Sequence, residues 1–231
     1  MRYFMKTKIF NAVILAFSAF LICFVLAVSV IPGILIDTEI LLLFFAMPVI
    51  AIAITMIVQI KRATTPEQKS KTRTFWLFVL FGIYIIMLAV ILFFGNEYRH
   101  GNSSINISIF SKEHFAMCGF IPFKGTFEYF VRLANGTIEL DIVIINIAVN
   151  LILFVPMGFF VPMLFGKKIK NVWQFIVLML GITALVEILQ FVTFTGSTDI
   201  DDIIYNTLGA VVMYLIMKTK FVRNIIKKVL E

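Results

Sequence analysis

Three aspartates lie close together at the start of an apolar segment near the C-terminus. Asp199, Asp201 and Asp202 occur in the run TGSTDIDDIIYNTLG. A divalent cation would relieve the repulsion between such carboxylates, and oxygen ligands of this kind suit Mg²⁺ or Ca²⁺. The alternative is structural: one aspartate caps the helix that follows, and another lies in its first turn, where the helix dipole favours a negative charge. The short spacing leaves both interpretations open.

Further polar side chains interrupt the apolar segments in this half of the chain. They are Asn150, Glu187, Gln190 and Asn206, the last of them one turn after Asp202. An ionisable group inside a membrane is strongly unfavourable unless it meets a partner or water, so we expect Glu187 to face other helices. Because these residues recur at helical spacing, three helices are predicted to present carboxyl and amide groups at a similar depth.

These residue types suggest two kinds of function. In an enzyme, Glu187 or Asp202 would act as the general acid or base, and Arg99 and Lys124 would hold a phosphate or carboxylate of the ligand. The remaining site residues would bind the substrate: Asn150, Gln190, Asp199 and Asn206. In a non-catalytic protein, the same residues would only line a polar groove. The sequence lacks the G-x-S-x-G, H-E-x-x-H and P-loop motifs, so no familiar catalytic motif decides between the two.

The elements that carry these residues are predicted from composition and hydropathy. Of the 231 residues, 61% are hydrophobic and 14% are charged, which excludes an ordinary soluble domain. A membrane-spanning helix needs about 20 mostly apolar residues. The segments that qualify are residues 9–31, 40–60, 75–94, 142–165, 172–194 and 201–217. The sequence thus predicts an all-α membrane protein, a polytopic bundle of about six transmembrane helices.

Basic residues predict the orientation of the bundle. All but four of the 20 Lys and Arg residues fall in the N-terminal tail, in two short loops and in the C-terminal tail. These segments share one side of the membrane if all the predicted helices span it, and positive charge marks the cytoplasmic side. Both termini are therefore predicted to be cytoplasmic, and the net charge of +7 requires no nucleic acid partner.

Two segments outside the predicted spans are also partly apolar. The long outer loop, residues 95–141, contains HFAMCGFIPF, which is too short to span a bilayer and predicts a re-entrant or interfacial segment. The tail, residues 218–231, is a basic amphipathic helix suited to an anionic membrane surface. The chain accordingly divides into an N-terminal hairpin with a basic cytoplasmic loop (1–74), a core (75–217) and this tail.

Four blocks of sequence resemble the VanZ-like family of bacterial membrane proteins. The blocks are IPF at 121–123, NLILFVPMGFF at 150–160, EILQF at 187–191 and GSTDIDDIIYNTLGA at 196–210. Their order and spacing extend the resemblance over about residues 75–217. The chain departs from the family pattern at Gly119, where relatives commonly have Asn.

The resemblance implies a multi-pass protein of the bacterial cytoplasmic membrane, which agrees with the acidic, outward-facing site predicted from the residues. The family takes its name from a protein that reduces susceptibility to the glycopeptide antibiotic teicoplanin. Such a site would bind or modify an amphiphilic envelope component, with membrane lipids and a lipid-linked envelope precursor or a lipoglycopeptide as partners. The alternative is a non-catalytic lipid- or antibiotic-binding, transport or assembly factor of the cell envelope. The one cofactor that the sequence suggests is a divalent cation, bound by the three aspartates.

Overall fold

The computed structural model describes most of the chain. The described residues are 11–16, 18–19, 38–94, 118–193, 195 and 198–230, with the exception of the side chains of 38–45 and 94. Arg99, most of the first predicted span (9–31) and residues 114–117 of the apolar outer-loop segment therefore lie outside the described residues.

Helices account for most of the described residues, including 11–16 and 18–19. From residue 38 onward we label them in chain order: α1 (Thr38–Arg62), α2 (Pro66–Phe94), α3 (Lys124–Ala134), α4 (Leu140–Leu153), α5 (Val155–Phe165), α6 (Val172–Thr193), α7 (Ile200–Lys218) and α8 (Lys220–Leu230). No strand occurs among these residues, although a bridge of extended backbone joins Gly119 to Asp199. The all-α class predicted from the sequence is confirmed.

In the described chain, four helical stretches are long and apolar enough to cross a membrane. They are Pro66–Phe93, Leu140–Phe165, Val172–Thr193 and Ile200–Lys218. These stretches correspond to the third to sixth predicted spans, and the second predicted span (40–60) falls within α1. The total of six and the cytoplasmic location of both termini stay predictions.

The chain divides into two compact units, one of residues 1–90 and 225–231 and the other of residues 91–224. In the first unit, Trp76 is fully buried, and its indole N–H donates to Gln59 Oε1 at 3.1 Å. This bond fixes α2 against α1. The candidate site lies wholly in the second unit. The boundaries predicted from the sequence, after residue 74 between hairpin and core and after residue 217 between core and tail, stay predictions.

A proline divides the fourth predicted span into α4 and α5. Helix α4 ends at Leu153, and α5 begins at Val155 after the single residue Phe154. In a continuous helix, Pro156 would lack the N–H for the preceding turn, and its ring would clash with the carbonyl four residues earlier. The helix therefore restarts here, with Pro156 in the first turn of α5, where proline is tolerated.

Helix α7 is the packing centre of the second unit, where it contacts α4, α5 and α6. Against α6, the rings of Tyr214 and Phe175 stack with their centroids 4.3 Å apart. Further along the same two helices, the hydroxyls of Thr207 and Thr183 lie 3.2 Å apart. Helices α6 and α7 therefore run antiparallel in contact, which fixes the relative depth of the polar residues near the start of α7.

Glycines let α7 approach α4 and α5 closely. A β-carbon at Gly209 of α7 would overlap the carbonyl oxygen of Leu151, and one at Gly158 of α5 would overlap the carbonyl oxygen of Ala210. Small residues at such contacts are the usual means by which membrane helices bring their backbones together.

We expect Gly209→Ala to lower the stability of the bundle. The added methyl group forces α7 away from α4, and overpacking of this kind costs about 1–3 kcal/mol. The matched control is Gly181→Ala in α6, because a β-carbon at Gly181 meets no atom within 4 Å. Thermal unfolding of the purified protein in detergent should show a lower midpoint for Gly209→Ala than for Gly181→Ala. Equal midpoints would contradict the close approach of α7 to α4.

Candidate functional site

A short pairing of extended backbone joins the segment before α3 to the segment before α7. The N–H of Gly119 donates to Thr198 O at 2.8 Å, and the N–H of Ile200 donates to Gly119 O at 2.9 Å. These bonds bring the start of α3 and the start of α7 to the same end of the second unit. Residues of the predicted outer loop therefore meet the three aspartates here.

Asp199 caps α7, which is the structural role considered from the sequence. Its Oδ1 accepts the backbone N–H of Asp201 at 2.9 Å. The carboxylate also lies against two glycines, because a β-carbon at Gly119 would be 2.7 Å from Asp199 Oδ1 and one at Gly125 would be 2.9 Å from Oδ2. Any side chain at position 119 would therefore require Asp199 to move. The glycine that departs from the family pattern is what allows the Asp199 carboxylate to lie this close to the backbone.

Burial raises the pKa of the Asp199 carboxyl above its ordinary value. The hydrogen bond from the backbone of Asp201 lowers the pKa, whereas the negative charges of Asp201 and Glu128 raise it. The balance is upward, so this group takes up a proton at a higher pH than aspartate in water does.

Asp201 caps a different helix, α3. The side chain is 3% exposed, and its Oδ2 accepts the N–H and the hydroxyl of Thr126 at 3.0 and 2.8 Å. Its Oδ1 accepts the N–H of Phe123, whose backbone is left-handed with a φ of 62°, a conformation uncommon in residues with a side chain. The Thr126 hydroxyl also lies 2.9 Å from Tyr205 OH. A buried carboxylate of α7 thus fixes where α3 begins.

Glu187 connects α6 to the segment that precedes α7. It is 2% exposed, and its Oε2 accepts the backbone N–H of Asp199 at 3.1 Å. Its own carbonyl oxygen accepts a hydrogen bond from the hydroxyl of Thr198 at 3.2 Å. Glu187 therefore faces the bundle interior, and one of its donors is a backbone group that the sequence did not suggest.

The predicted amide residues have different environments. Asn150 of α4 donates from Nδ2 to Asp202 Oδ1 of α7. Asn206, one turn further along α7, is 2% exposed, and its Oδ1 accepts no hydrogen bond from the described residues. Gln190 instead donates from Nε2 to Leu92 O near the end of α2 at 3.1 Å, so its amide bonds to backbone and not to an aspartate.

Six residues singled out from the sequence thus surround the first turns of α7, and three helices contribute them. We call them the acid–amide cluster: Asn150, Glu187, Asp199, Asp201, Asp202 and Asn206. Lys124 does not join the cluster, because its exposed side chain lies 3.7 Å from Glu128 Oε1 on the same helix. Arg99 lies outside the described residues, so its predicted role stays a prediction.

The three aspartates do not converge on a cation site. No group of three His, Cys, Asp or Glu side chains within the described residues could hold a metal ion. The physical reason is that each carboxylate turns to a different partner: Asp199 to the start of α7, Asp201 to the start of α3, and Asp202 to Asn150. The geometry therefore does not support the divalent cation considered from their spacing.

Tyr129 of α3 belongs to the same region and was missed by sequence reasoning. Burial raises the pKa of its phenol, and the negative charges of Asp202 and Asp199 raise it further, whereas Arg132 lowers it. The available signal was the three-residue spacing of Thr126 and Tyr129, which places both on one face of a helix. Such a signal is weak in an isolated helical segment of a loop.

A bundle of membrane-spanning helices with buried carboxylates at one end defines the class of this protein. The VanZ/LLP1 family model matches residues 81–223, which is well over half of the chain. The chain belongs to the VanZ/LLP1 family. The match contains α3 to α7 and the whole acid–amide cluster. No curated protein and no solved structure matches the chain.

We expect Asp201→Asn to loosen α3. Asn keeps the size of the side chain but replaces one acceptor oxygen with a donor, and a buried N–H left without a partner costs about 1–3 kcal/mol. Limited trypsin digestion should therefore cut α3 after Lys124 or Arg132 faster in this variant than in the wild type. The matched control is Asp141→Asn, at an exposed aspartate in the first turn of α4. Equal digestion of the wild type and Asp201→Asn would show that Asp201 does not hold α3.

Stability should also depend on pH through Asp199. Because the pKa of its carboxyl is raised in the folded protein, the folded protein binds the proton more tightly than the unfolded chain, and stability falls as the pH rises through the shifted range. Asp199→Asn keeps a capping oxygen and removes this titration. The melting temperature of Asp199→Asn minus that of the wild type should therefore increase as the pH is raised from about 4, the ordinary pKa of an aspartate. A difference that is independent of pH would contradict the raised pKa.

Proposed function

We propose that this protein binds an amphiphilic component of the bacterial cell envelope at the acid–amide cluster, from the outer side of the cytoplasmic membrane. Membership of the VanZ/LLP1 family and the four apolar helices of the described chain support a location in a membrane. The concentration of Lys and Arg in the tails and in two short loops supports an outward orientation of the cluster.

The observation that carries the proposal is the pairing of Asp202 with Asn150. Asp199, Asp201 and Glu187 accept backbone N–H groups and so hold helix starts and the adjoining segment in place. Asp202 instead pairs with a side-chain amide of another helix. A ligand can take the place of the Asn150 side-chain amide as a donor to Asp202 Oδ1, so we assign binding to Asp202.

The chemistry of the cluster favours a ligand that donates hydrogen bonds. The cluster offers carboxylate and amide oxygens, and the buried Oδ1 of Asn206 accepts no hydrogen bond from the described residues. Hydroxyl, amide and ammonium groups are the donors that such oxygens accept. Lys124 Nζ lies 3.7 Å from Glu128 Oε1, and the contact of Lys124 with a phosphate or carboxylate stays a prediction. A headgroup rich in hydroxyl or amino groups, from a lipid-linked precursor or a lipoglycopeptide, therefore suits the site.

In a catalytic version of this proposal, Asp202 is the general acid or base. A general base must reach the proton that it abstracts within hydrogen-bond distance. Glu187 is less suitable, because it is almost completely buried and one of its oxygens accepts a backbone N–H. The second candidate is a binding, transport or assembly factor without catalysis, and the carboxylate–amide pairing of Asp202 and Asn150 supports it equally.

The first test is the teicoplanin susceptibility of a bacterial host that expresses the protein. We expect the wild type to raise the minimum inhibitory concentration and Asp202→Ala to abolish most of this protection. A tenfold loss of affinity corresponds to about 1.4 kcal/mol, and one hydrogen bond to a charged group contributes about 1.5–3 kcal/mol, so the loss of one such bond is enough. Asp141→Ala is the matched control at an exposed aspartate and should keep the protection. Immunoblots of the membrane fraction establish that all variants are present at equal levels.

Asp202→Asn separates catalysis from binding. Asn keeps the size and one acceptor oxygen of the side chain, but it cannot transfer a proton as a carboxyl group does. Loss of protection as complete as in Asp202→Ala would indicate acid–base catalysis, whereas partial retention would indicate binding alone. Full protection by both variants would contradict a role for Asp202. No protection by the wild type would separate this protein from the antibiotic phenotype.

A further inference from the structure

Helix α3 is too short to cross a membrane, and one of its faces is already in use. Its 11 residues extend over about 16 Å, whereas a membrane span needs about 20 residues. The face toward the start of α7 holds residues that are only partly exposed: Gly125, Thr126, Tyr129 and Leu133. Thr126 fastens this face to Asp201 through its N–H and its hydroxyl.

The second face of α3 is an exposed apolar stripe. The stripe consists of residues at helical spacing: Phe127, Phe130, Val131 and Ala134. Phe127 is 67% exposed and Phe130 is 52% exposed. The exposed apolar surface continues into the preceding segment, at Phe120, Ile121 and Phe123. Single exposed apolar residues are ordinary, but a continuous apolar patch indicates contact with a partner or with lipid.

The third face of α3 is a charged row. It consists of Lys124, Glu128 and Arg132, which follow one another at four-residue intervals and are all exposed. Within the row, Lys124 Nζ lies 3.7 Å from Glu128 Oε1. At about 100° per residue, the charged row, the apolar stripe and the face toward α7 each take about one third of the helix circumference.

We propose that α3 is an interfacial helix that lies in the membrane surface, with its apolar stripe among the lipid acyl chains and its charged row among the headgroups. A helix with separate apolar and charged faces and low overall hydrophobicity lies in this orientation. Two connections hold α3 at the level of the membrane surface. Asp201 fixes its first turn to the start of α7, and residues 135–139 join its end to the span that begins at Leu140.

A lipid surface accounts for the charged row as well as for the stripe. A second copy of the chain would bury Phe127 and Phe130 equally well, but it would leave the charged row without a role. Beside acyl chains, long basic side chains such as Lys124 and Arg132 extend their charges into the headgroup region while their methylene groups cover apolar surface. The arrangement of both faces therefore favours lipid as the occupant.

The position of α3 also defines a route to the acid–amide cluster. Because Thr126 and Tyr129 lie on the face toward α7, the cluster lies beside the headgroup region. A lipid-anchored ligand would reach Asp202 while its acyl chains stay in the bilayer. This consequence rests on the proposed function, whereas the position of α3 in the membrane does not.

The test measures the depth of single nitroxide labels in the full-length protein, reconstituted into vesicles of phosphatidylcholine and phosphatidylglycerol. Cys23 and Cys118 are first replaced by Ser, and one label is attached at Phe127→Cys, at Val131→Cys or at the matched charged position Glu128→Cys. We expect the labels at the first two positions to have a several-fold higher ratio of oxygen to nickel-chelate collisions, because oxygen concentrates among acyl chains. The label at Glu128→Cys should favour the water-soluble nickel chelate.

Each outcome decides the position of α3. Equal access of the nickel chelate to Phe127→Cys and Glu128→Cys would show that the stripe faces water and would overturn the proposal. Exclusion of both agents from Phe127→Cys, with spectral broadening by a second label, would show a second copy on the stripe and would overturn it as well. Val131→Cys removes less side-chain volume than Phe127→Cys does. If Phe127→Cys fails to fold, a high ratio of oxygen to nickel-chelate collisions at Val131→Cys tests the proposal in its place. Absence of teicoplanin protection by the wild type, with the labels still among acyl chains, would count against the proposed function and would leave the position of α3 unchanged.

Discussion

The carboxylate of Asp201 is the interaction on which the rest of the candidate site depends. The first turn of a helix has N–H groups without partners in the helix, and a carboxylate without donors is strongly unfavourable away from water. Asp201 satisfies both requirements, because it accepts hydrogen bonds from Phe123 and Thr126 at the start of α3. Asp199 accepts the N–H of Asp201 in the first turn of its own helix, and Glu187 accepts the N–H of Asp199. Each of these acids joins two chain segments, and Asp201 and Glu187 are buried where they do so.

The depth of the cluster is set by helix packing further along the bundle. Gly209 lets α7 lie directly against α4, and on these same helices Asn150 reaches the carboxylate of Asp202. The pairing of Thr183 with Thr207 aligns α6 with α7. Glu187 follows Thr183 by one helical turn, so it meets the segment before α7. Small and apolar contacts in the bundle therefore determine which polar groups can meet at its end.

The apolar spans and the polar layer could be predicted from the sequence, because hydropathy and helical spacing depend only on nearby residues. The partner of Asp201 could not be predicted, because Thr126 lies 75 residues away in a short helix between spans. Lys124 lies beside Glu128 at four-residue spacing on an exposed part of α3, as opposite charges on one helix commonly do. Its contact with a ligand stays a prediction, because no spacing in the sequence determines such a contact.

The acids of the run DIDD have different roles, so the run by itself does not identify a chemistry. Asp199 and Asp201 would cap helices equally well in a bundle that binds nothing. Asp202 is different, because one of its partners, Asn150, is a side chain of another helix. An apolar pair would hold α4 and α7 together without the desolvation penalty of a carboxylate. The carboxylate–amide pair and the buried acceptor of Asn206 one turn away are therefore the two features on which the proposed ligand site rests.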